Sequence, residues 1–161
     1  GRNMFEIQSN SIEETLQLGR RVAEGLKGGE VIALTGELGA GKTVFVKGLA
    51  KGLGIEETIT SPTFVLARTY QGRLLLHHID LYRLETCNDL DSIGIDDYLG
   101  GGGVIAIEWA EKFMGDLPPP FLHIIIEPGE DERRLIQIAA ADGAAWEGVY
   151  NSLRWRQNGF S

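Results

Sequence analysis

Two hydrophobic patterns alternate along the chain, one typical of buried strands and one of amphipathic helices. Residues 31–35 (VIALT) and 104–107 (VIAI) are unbroken apolar runs, as expected of strands covered on both faces of a parallel sheet. Residues 12–26 instead repeat apolar positions at helical spacing, after Ser11 and Glu14 in the spacing of a capping box. The sequence therefore predicts an α/β fold with a mixed central sheet and helices on both faces.

Shorter apolar runs complete the predicted sheet. Five further strands are expected at residues 4–8, 64–70, 73–79, 122–127 and 135–139. Gln71-Gly72 joins the second and third of these runs, and a two-residue connection is typical of an antiparallel hairpin. Pro128-Gly129 is expected to turn the chain between the last two runs.

Three more helical segments are predicted. Residues 43–51 form one helix, residues 89–99 contain one or two short turns broken by Gly94, and Asp142 caps a last helix. The apolar face of the last helix is expected to comprise Trp146, Val149, Tyr150 and Leu153.

No linker or repeat divides the chain, so residues 1–161 are expected to form a single domain. Within it, residues 154–161 are expected to be a C-terminal tail. Residues 1–3, before Met4, are expected to be a remnant of cloning rather than a targeting segment.

Charge and cysteine content exclude several classes of function. The chain has 15 Lys and Arg against 23 Asp and Glu, a formal net charge of −8. Direct, non-specific binding of DNA or RNA needs clustered cations and is not expected. Cys87 is the one cysteine, which excludes an intrachain disulfide and a four-cysteine zinc site. No apolar run reaches membrane-spanning length, and we expect a cytoplasmic protein.

A glycine-rich turn between the strand at 31–35 and the helix at 43–51 carries the strongest chemical signal. Its residues 36–43 (GELGAGKT) match the Walker A pattern G-x-x-x-x-G-K-[ST]. Backbone N–H groups of such a loop and of the following helix bind phosphate. Lys42 is expected to reach the β- and γ-phosphates, and the Thr43 hydroxyl to ligate Mg²⁺; a turn that binds nothing is the alternative. The predicted nucleotide ligands here are Glu37, Leu38, Gly39, Ala40, Gly41, Lys42, Thr43 and Val44.

Two carboxylates are predicted to face this loop. Asp80 and Glu108 each follow a predicted strand, at the carboxyl edge of the sheet where ligands bind. Mg²⁺ beside phosphates takes one or two carboxylates and keeps several waters. Because the run before Glu108 is the more apolar, we assign Glu108 to Mg²⁺ and Asp80 to the metal's water shell or the attacking water, although the roles are exchangeable. Together with Lys42, these two form the predicted catalytic set.

Two further segments have both a functional and a structural interpretation. Residues 60–64 (TSPTF) lie where many P-loop proteins sense the γ-phosphate, so Thr63 or Ser61 is expected to supply a hydroxyl unless the segment only begins a strand. His77 and His78 are adjacent in a predicted strand and point to opposite faces. They cannot jointly hold one metal ion, and we expect ordinary strand histidines.

These segments together resemble the bacterial TsaE (YjeE) family of small P-loop ATPases. The resemblance runs from about Ser11 to Arg134 and rests, in the family's order, on residues 36–43, 61–64 (SPTF), 78–84 (HIDLYRL) and 107–109 (IEW). It implies a cytoplasmic ATPase that uses ATP and Mg²⁺ to help make threonylcarbamoyladenosine beside the anticodon of tRNAs that read codons starting with A. It also implies that the ATPase acts on a complex of TsaD and TsaB, so that tRNA is reached only through these partners.

The resemblance also assigns residues. It places Thr63 in a switch-like segment and Trp109 near the nucleotide. Asn10, Ser11 and Arg133 are expected at the edges of the adenine pocket. The segment with Asn10 and Ser11 and the segment with Arg133 are both expected on the side of the sheet that carries residues 36–43, the phosphate loop. The motifs contain no arginine finger, so we expect slow hydrolysis by the isolated chain.

Three other functions are weighed against the ATPase. A GTPase is disfavoured because the chain lacks the guanine-reading motif [NT]-K-x-D. A small-molecule kinase usually needs a cationic lid, for which Arg133-Arg134 is the only nearby pair. A nucleotide-dependent binding module, in which hydrolysis is incidental, has the same motifs as the ATPase.

Overall fold

The computed structural model describes residues 4–37, 39–60, 67–82, 94–117, 120–140 and 146–159. Its strands are β1 (Met4–Ser9), β2 (Val31–Thr35), β3 (Ala67–Gln71), β4 (Leu75–Asp80), β5 (Val104–Glu108), β6 (Phe121–Pro128) and β7 (Arg134–Ala140). Its helices are α1 (Ile12–Glu24), α2 (Lys42–Gly52), α3 (Ile95–Tyr98) and α4 (Glu147–Gly159), with a 3-10 helix at Ala110–Asp116.

The strands form one seven-stranded mixed sheet in the order β1-β7-β6-β2-β5-β4-β3. The four neighbours β6, β2, β5 and β4 are parallel. Strands β7 and β1 on one side and β3 on the other run antiparallel to their neighbours. Every residue of β2 and β5 is buried, which explains why both strands are apolar up to their last residues, Thr35 and Glu108. The predicted mixed sheet is confirmed.

Two apolar cores lie on opposite faces of this sheet. Helices α1, α2 and α4 cover one face, where Val22, Phe45 and Leu49 pack against strand residues such as Ile32. Helix α3 and the 3-10 helix cover the other, where Phe113 belongs to the second core. Helices on both faces, as predicted, bury the strands and contribute most of the stabilising apolar burial.

Helices α1 and α2 pack backbone against backbone through two glycines. A Cβ atom on Gly48 would overlap the carbonyl oxygen of Leu16, and one on Gly19 would overlap the carbonyl oxygen of Phe45. Only glycine permits so close an approach. The phosphate loop leads directly into α2, so this contact fixes the helix that follows the loop.

The N-terminus of α1 is capped largely as the sequence predicts. The Ser11 side chain accepts a hydrogen bond of 3.0 Å from the backbone N–H of Glu14. The Glu14 carboxylate in turn accepts from the N–H of Asn10 at 3.0 Å, one residue earlier than in the usual capping box. The helix ends at Glu24, two residues before the predicted end.

The connection between β3 and β4 is longer than the predicted turn at Gln71-Gly72. Residues 72–74 form the connection, because Gln71 pairs with Leu75 in the ladder. Arg73 accounts for the difference. Its backbone N–H donates to the carbonyl of Leu53 at 2.8 Å. Its guanidinium donates to the carbonyl of Ala23 in the last turn of α1 and to that of Leu26 just after the helix. These tertiary bonds leave no trace in the local hairpin pattern.

Helix α4 continues farther than the sequence predicts. The tail expected from residue 154 is helical to Gly159, because residues 154–158 (RWRQN) contain no glycine or proline to stop the helix. The predicted apolar face of this helix is confirmed by the burial of Trp146, Val149, Tyr150 and Leu153.

Several predicted features lie outside the described residues, namely the cap at Asp142, residues 89–93 of the predicted helical turns and residues 64–66 of the hairpin arm. In the described part of the chain, the helices are too short or too polar to cross a membrane.

The glycine contact between α1 and α2 predicts that Gly48→Ala destabilises the fold by about 1–3 kcal/mol through overpacking. In an open helix the same change would stabilise by about 1 kcal/mol. Gly115→Ala in the 3-10 helix is the control, because nothing lies within 4 Å of the Cβ position there. Urea denaturation of the two variants measures the difference, and equal stabilities would contradict the backbone contact.

Candidate phosphate-binding site

The phosphate loop lies at the carboxyl edge of the parallel strands, between β2 and α2. Gly36, Gly39 and Gly41 have φ angles of 145°, 79° and 110°, which side chains rarely permit. Gly41 is the N-cap of α2 and no side chain caps it. The first N–H groups of α2 have no partner within the helix and can therefore bind an anion.

Lys42 is folded back over the start of its own loop. Its ammonium donates to the carbonyl of Gly36 and, at 3.0 Å, to that of Glu37. The same nitrogen lies 3.8 Å from the centre of the Trp109 ring, within the range of a cation–π interaction. Burial lowers the pKa of Lys42, and the carboxylates of Glu111, Glu108 and Asp80 oppose that change.

Glu108 is a buried carboxylate held by donors from two different elements. The Thr43 hydroxyl donates to both of its oxygens, at 3.0 Å and 3.1 Å. The Nε2 atom of His78 lies 2.5 Å from the Oε2 atom of Glu108. His78 is fully buried, and its Nδ1 atom has no partner among the described residues. A proton on Nε2 lets the imidazole donate to the carboxylate, which can only accept.

Asp80 lies beside Glu108, because the two residues are partners in the register of β4 and β5. Its carboxylate accepts a hydrogen bond of 2.9 Å from the backbone N–H of Tyr82. Trp109 follows Glu108 with a φ of 59°, and its ring packs against that of Tyr82 at 4.9 Å between centroids. The structure thus brings together the predicted residues Lys42, Thr43, Asp80, Glu108 and Trp109.

Three contacts of this site were not predicted from the sequence. His78 binds Glu108, Glu111 accepts a bond of 2.8 Å from the N–H of Gly36, and Arg134 donates to the carbonyls of Gly39 and Ala40. His78 does carry a signal, since it lies two residues before Asp80 and therefore on the same face of β4. The expectation of two ordinary strand histidines suits His77, which bonds Thr69 on the other face at 2.8 Å, but not His78.

The residues expected at the adenine pocket lie in two segments, the start of α1 and the β6–β7 connection, that contact each other. Ser11 and Asn10 bond Glu14 as described above, and the N–H of Ile12 donates to Glu132 in the β6–β7 connection at 3.1 Å. Arg133 is exposed, and its N–H donates to the carbonyl of Glu130. Their assignment to adenine stays a prediction. Leu38, Ser61 and Thr63 lie outside the described residues, and Val44 is half-buried in the first turn of α2.

Comparison with known proteins gives the family. A profile described as "Threonylcarbamoyl adenosine biosynthesis protein TsaE" matches residues 9–136. The chain belongs to the TsaE family. The matched span includes the phosphate loop, both carboxylates and Arg134, and it ends within β7.

Relatives in the TsaE family are similar over most of the chain. A tRNA threonylcarbamoyladenosine biosynthesis protein TsaE from Treponema pallidum is 46% identical over 131 residues, covering 81% of this chain and 97% of its own. The protein of the same name from Bacillus subtilis is 43% identical over 147 residues, covering 91% of each chain. The crystal structure of Bacillus subtilis YdiB superposes with a TM-score of 0.82 and 33% identity, over 98% of this chain and 99% of that one. The predicted P-loop α/β fold is thereby confirmed.

The contact between His78 and Glu108 predicts a large stability effect. His78→Leu removes one of the two donors of a buried carboxylate, so we expect a loss of about 1–3 kcal/mol in the free energy of unfolding. In a double-mutant cycle with Glu108→Gln, the coupling energy should lie at about 1–3 kcal/mol. His77→Leu, on the opposite face of the same strand, is the control and should show no coupling to Glu108→Gln. Urea denaturation gives all the values, and a His78–Glu108 coupling near zero would refute the contact.

Proposed function

We propose that this TsaE-family chain binds ATP with Mg²⁺ at the phosphate loop and hydrolyses it slowly during formation of threonylcarbamoyladenosine on tRNA. One observation carries the proposal: the Thr43 hydroxyl, in the first turn of the loop helix, bonds both carboxylate oxygens of Glu108. In P-loop NTPases, the hydroxyl of the loop Ser or Thr and an acidic residue from a neighbouring strand together hold the metal ion. Here the two groups are already adjacent.

The oxygen donors at this point fit Mg²⁺. Thr43, Glu108 and Asp80 offer one hydroxyl and two carboxylates, the hard ligands that this ion prefers. Among the described residues, no three His, Cys, Asp or Glu side chains form a group that could hold a metal ion. A site of this kind is completed by phosphate oxygens and water. Bound there, the ion would neutralise charge on the transferring phosphoryl group.

The residues around the Thr43–Glu108 contact have different proposed roles in hydrolysis. Lys42 leaves the carbonyls of Gly36 and Glu37 and contacts phosphate oxygens, stabilising the charge that develops on them. Glu108 would hold the metal ion directly or through water, and His78 keeps its carboxylate in place. Asp80, which accepts from the N–H of Tyr82, would orient the attacking water or contact the metal's water shell.

The charge of the chain favours protein partners over direct contact with tRNA. A formal net charge of −8 opposes binding to the phosphate backbone. We therefore propose that the chain acts in the cytoplasm as a single domain on a TsaD–TsaB complex, and that this complex handles the tRNA. ATP rather than GTP is proposed because the sequence contains no [NT]-K-x-D motif.

The structure weakens the kinase alternative. A cationic lid built from Arg133-Arg134 would need both guanidinium groups, yet Arg134 already donates to four backbone carbonyls. Of these two arginines, only Arg133 is exposed and could form part of a lid.

The loop geometry predicts how two substitutions change ATP hydrolysis. Lys42→Ala should lower the rate by about 10²–10³-fold, the usual effect of removing one donor to a charged transition state. Lys47→Ala is the matched control, since Lys47 is an exposed lysine of the same helix.

Thr43→Val, which removes the hydroxyl, should raise the Mg²⁺ concentration needed for activity, whereas Thr43→Ser should preserve it. Phosphate-release assays over a range of Mg²⁺ concentrations test both, and equal activities of Lys42→Ala and Lys47→Ala would sink the proposal.

The partner dependence is tested by adding purified TsaD and TsaB. We expect faster ATP hydrolysis with both proteins than with the chain alone, because the sequence motifs contain no arginine finger and a partner can supply one. Glu108→Gln and Asp80→Asn should each abolish the stimulated rate and tRNA modification. If Glu108→Gln stops hydrolysis but still supports modification, the chain is a nucleotide-dependent binding module instead.

A further inference from the structure

Arg134, the first residue of β7, extends its guanidinium group to the phosphate loop. Its Nε atom donates to the carbonyl of Ala40 at 2.6 Å, and one terminal nitrogen donates to the carbonyl of Gly39 at 3.1 Å. The other terminal nitrogen donates to the carbonyls of Asp131 and Arg133. The guanidinium therefore joins the β6–β7 connection to the middle of the loop.

The anchor for this contact is rigid. The backbone of Arg134 is paired in the sheet with Pro128 of β6 and Ser9 of β1. The adjacent turn includes Asp131 with a φ of 54°, and its carbonyl is one of the groups that Arg134 binds. A side chain fixed at both its backbone and its own turn can hold a loop in one orientation.

Holding a carbonyl also orients the N–H group of the next residue. A trans peptide is planar, so its C=O and N–H groups point in opposite directions. Because Arg134 binds the carbonyl of Ala40, the N–H of Gly41 is turned away from Arg134. Ala40 N–H is fixed separately by a bond of 3.0 Å to the carbonyl of Glu37. These two bonds fix the orientations of two successive peptides of the loop.

Arg134 also contributes charge. Within the described part of the chain, no carboxylate oxygen lies within 4.0 Å of its guanidinium. Its hydrogen-bond partners are neutral carbonyls, so no carboxylate among the described residues pairs with it directly. A cation that is not paired directly with a carboxylate attracts a phosphate chain at this position.

We propose that Arg134 is a positioning residue of the phosphate site: it fixes the Gly39 and Ala40 peptides in the orientation that binds a nucleoside di- or triphosphate. The proposal rests on the proposed function of the loop. It extends that function by adding a residue 91 positions after the Walker A threonine, outside any motif of the sequence.

The first test is the affinity for ADP, measured by calorimetry in the presence of Mg²⁺. Arg134→Ala should weaken binding by about 10- to 100-fold, as expected for lost bonds from a charged donor. Arg21→Ala is the matched control, because it removes an arginine from an exposed ion pair on α1 and should leave the affinity unchanged. Arg134→Lys keeps the charge but lacks the planar fork, so its affinity should lie between those of the wild type and Arg134→Ala.

The second test is independent of nucleotide. In the ligand-free protein, Arg134→Ala should speed hydrogen exchange at the amides of Ala40 and Phe45, whose bonds to Glu37 and Gly41 order the loop and the first turn of α2. The amides of β5 should keep their protection. A purely structural role would lower global stability and leave the ADP affinity of the folded protein unchanged, which would overturn the proposal.

These outcomes distinguish the proposed role of Arg134 from the proposed function of the loop. Full affinity in Arg134→Lys, or unchanged exchange at Ala40 and Phe45, overturns the positioning role even if ADP binds well. If the wild-type chain fails to bind ADP, the proposed function fails, and the exchange experiment still decides whether Arg134 orders the loop.

Discussion

The buried carboxylate of Glu108 is the group on which the arrangement of the site depends. Burying a charge is costly unless donors surround it, and Glu108 is only 3% exposed. One donor, Thr43, comes from α2, and the other, His78, comes from β4. Both elements must therefore be correctly placed around β5 before the carboxylate is stable. Formation of the fold and formation of the site are in this sense one event.

The position of α2 is determined by packing rather than by the loop. Gly19 and Gly48 let α1 and α2 touch through their backbones, and the apolar side of α2 is buried on the sheet through Phe45 and Leu49. These contacts set where α2 begins, and the first two residues of α2 are Lys42 and Thr43. A shift of the helix on the sheet would move the Thr43 hydroxyl away from Glu108.

The sequence was sufficient for features encoded locally and insufficient for those that depend on distant contacts. Periodicity located β2 and β5, and the Walker A spacing located the loop. The strand-end position of Asp80 and Glu108 placed them side by side, because parallel strands in register end at one edge. The role of Arg134 has no local pattern, since its loop partners are 94 and 95 residues away in the chain. The turn at residues 72–74 was missed for the same reason, because Arg73 is held there by α1 and the end of α2.

The charges of the site favour a metal-bound nucleotide over a bare phosphate chain. Lys42 faces the carboxylates of Asp80, Glu108 and Glu111, which counteract the lowering of its pKa by burial. A bare polyphosphate entering this site would be repelled by three carboxylates and attracted by Lys42 and Arg134. On the proposed function, Mg²⁺ reverses this balance, because the same carboxylates that repel phosphate attract the ion that accompanies it. On the proposed function, the acidic residues that disfavour direct contact with tRNA would at this edge of the sheet favour a nucleotide that carries its metal ion.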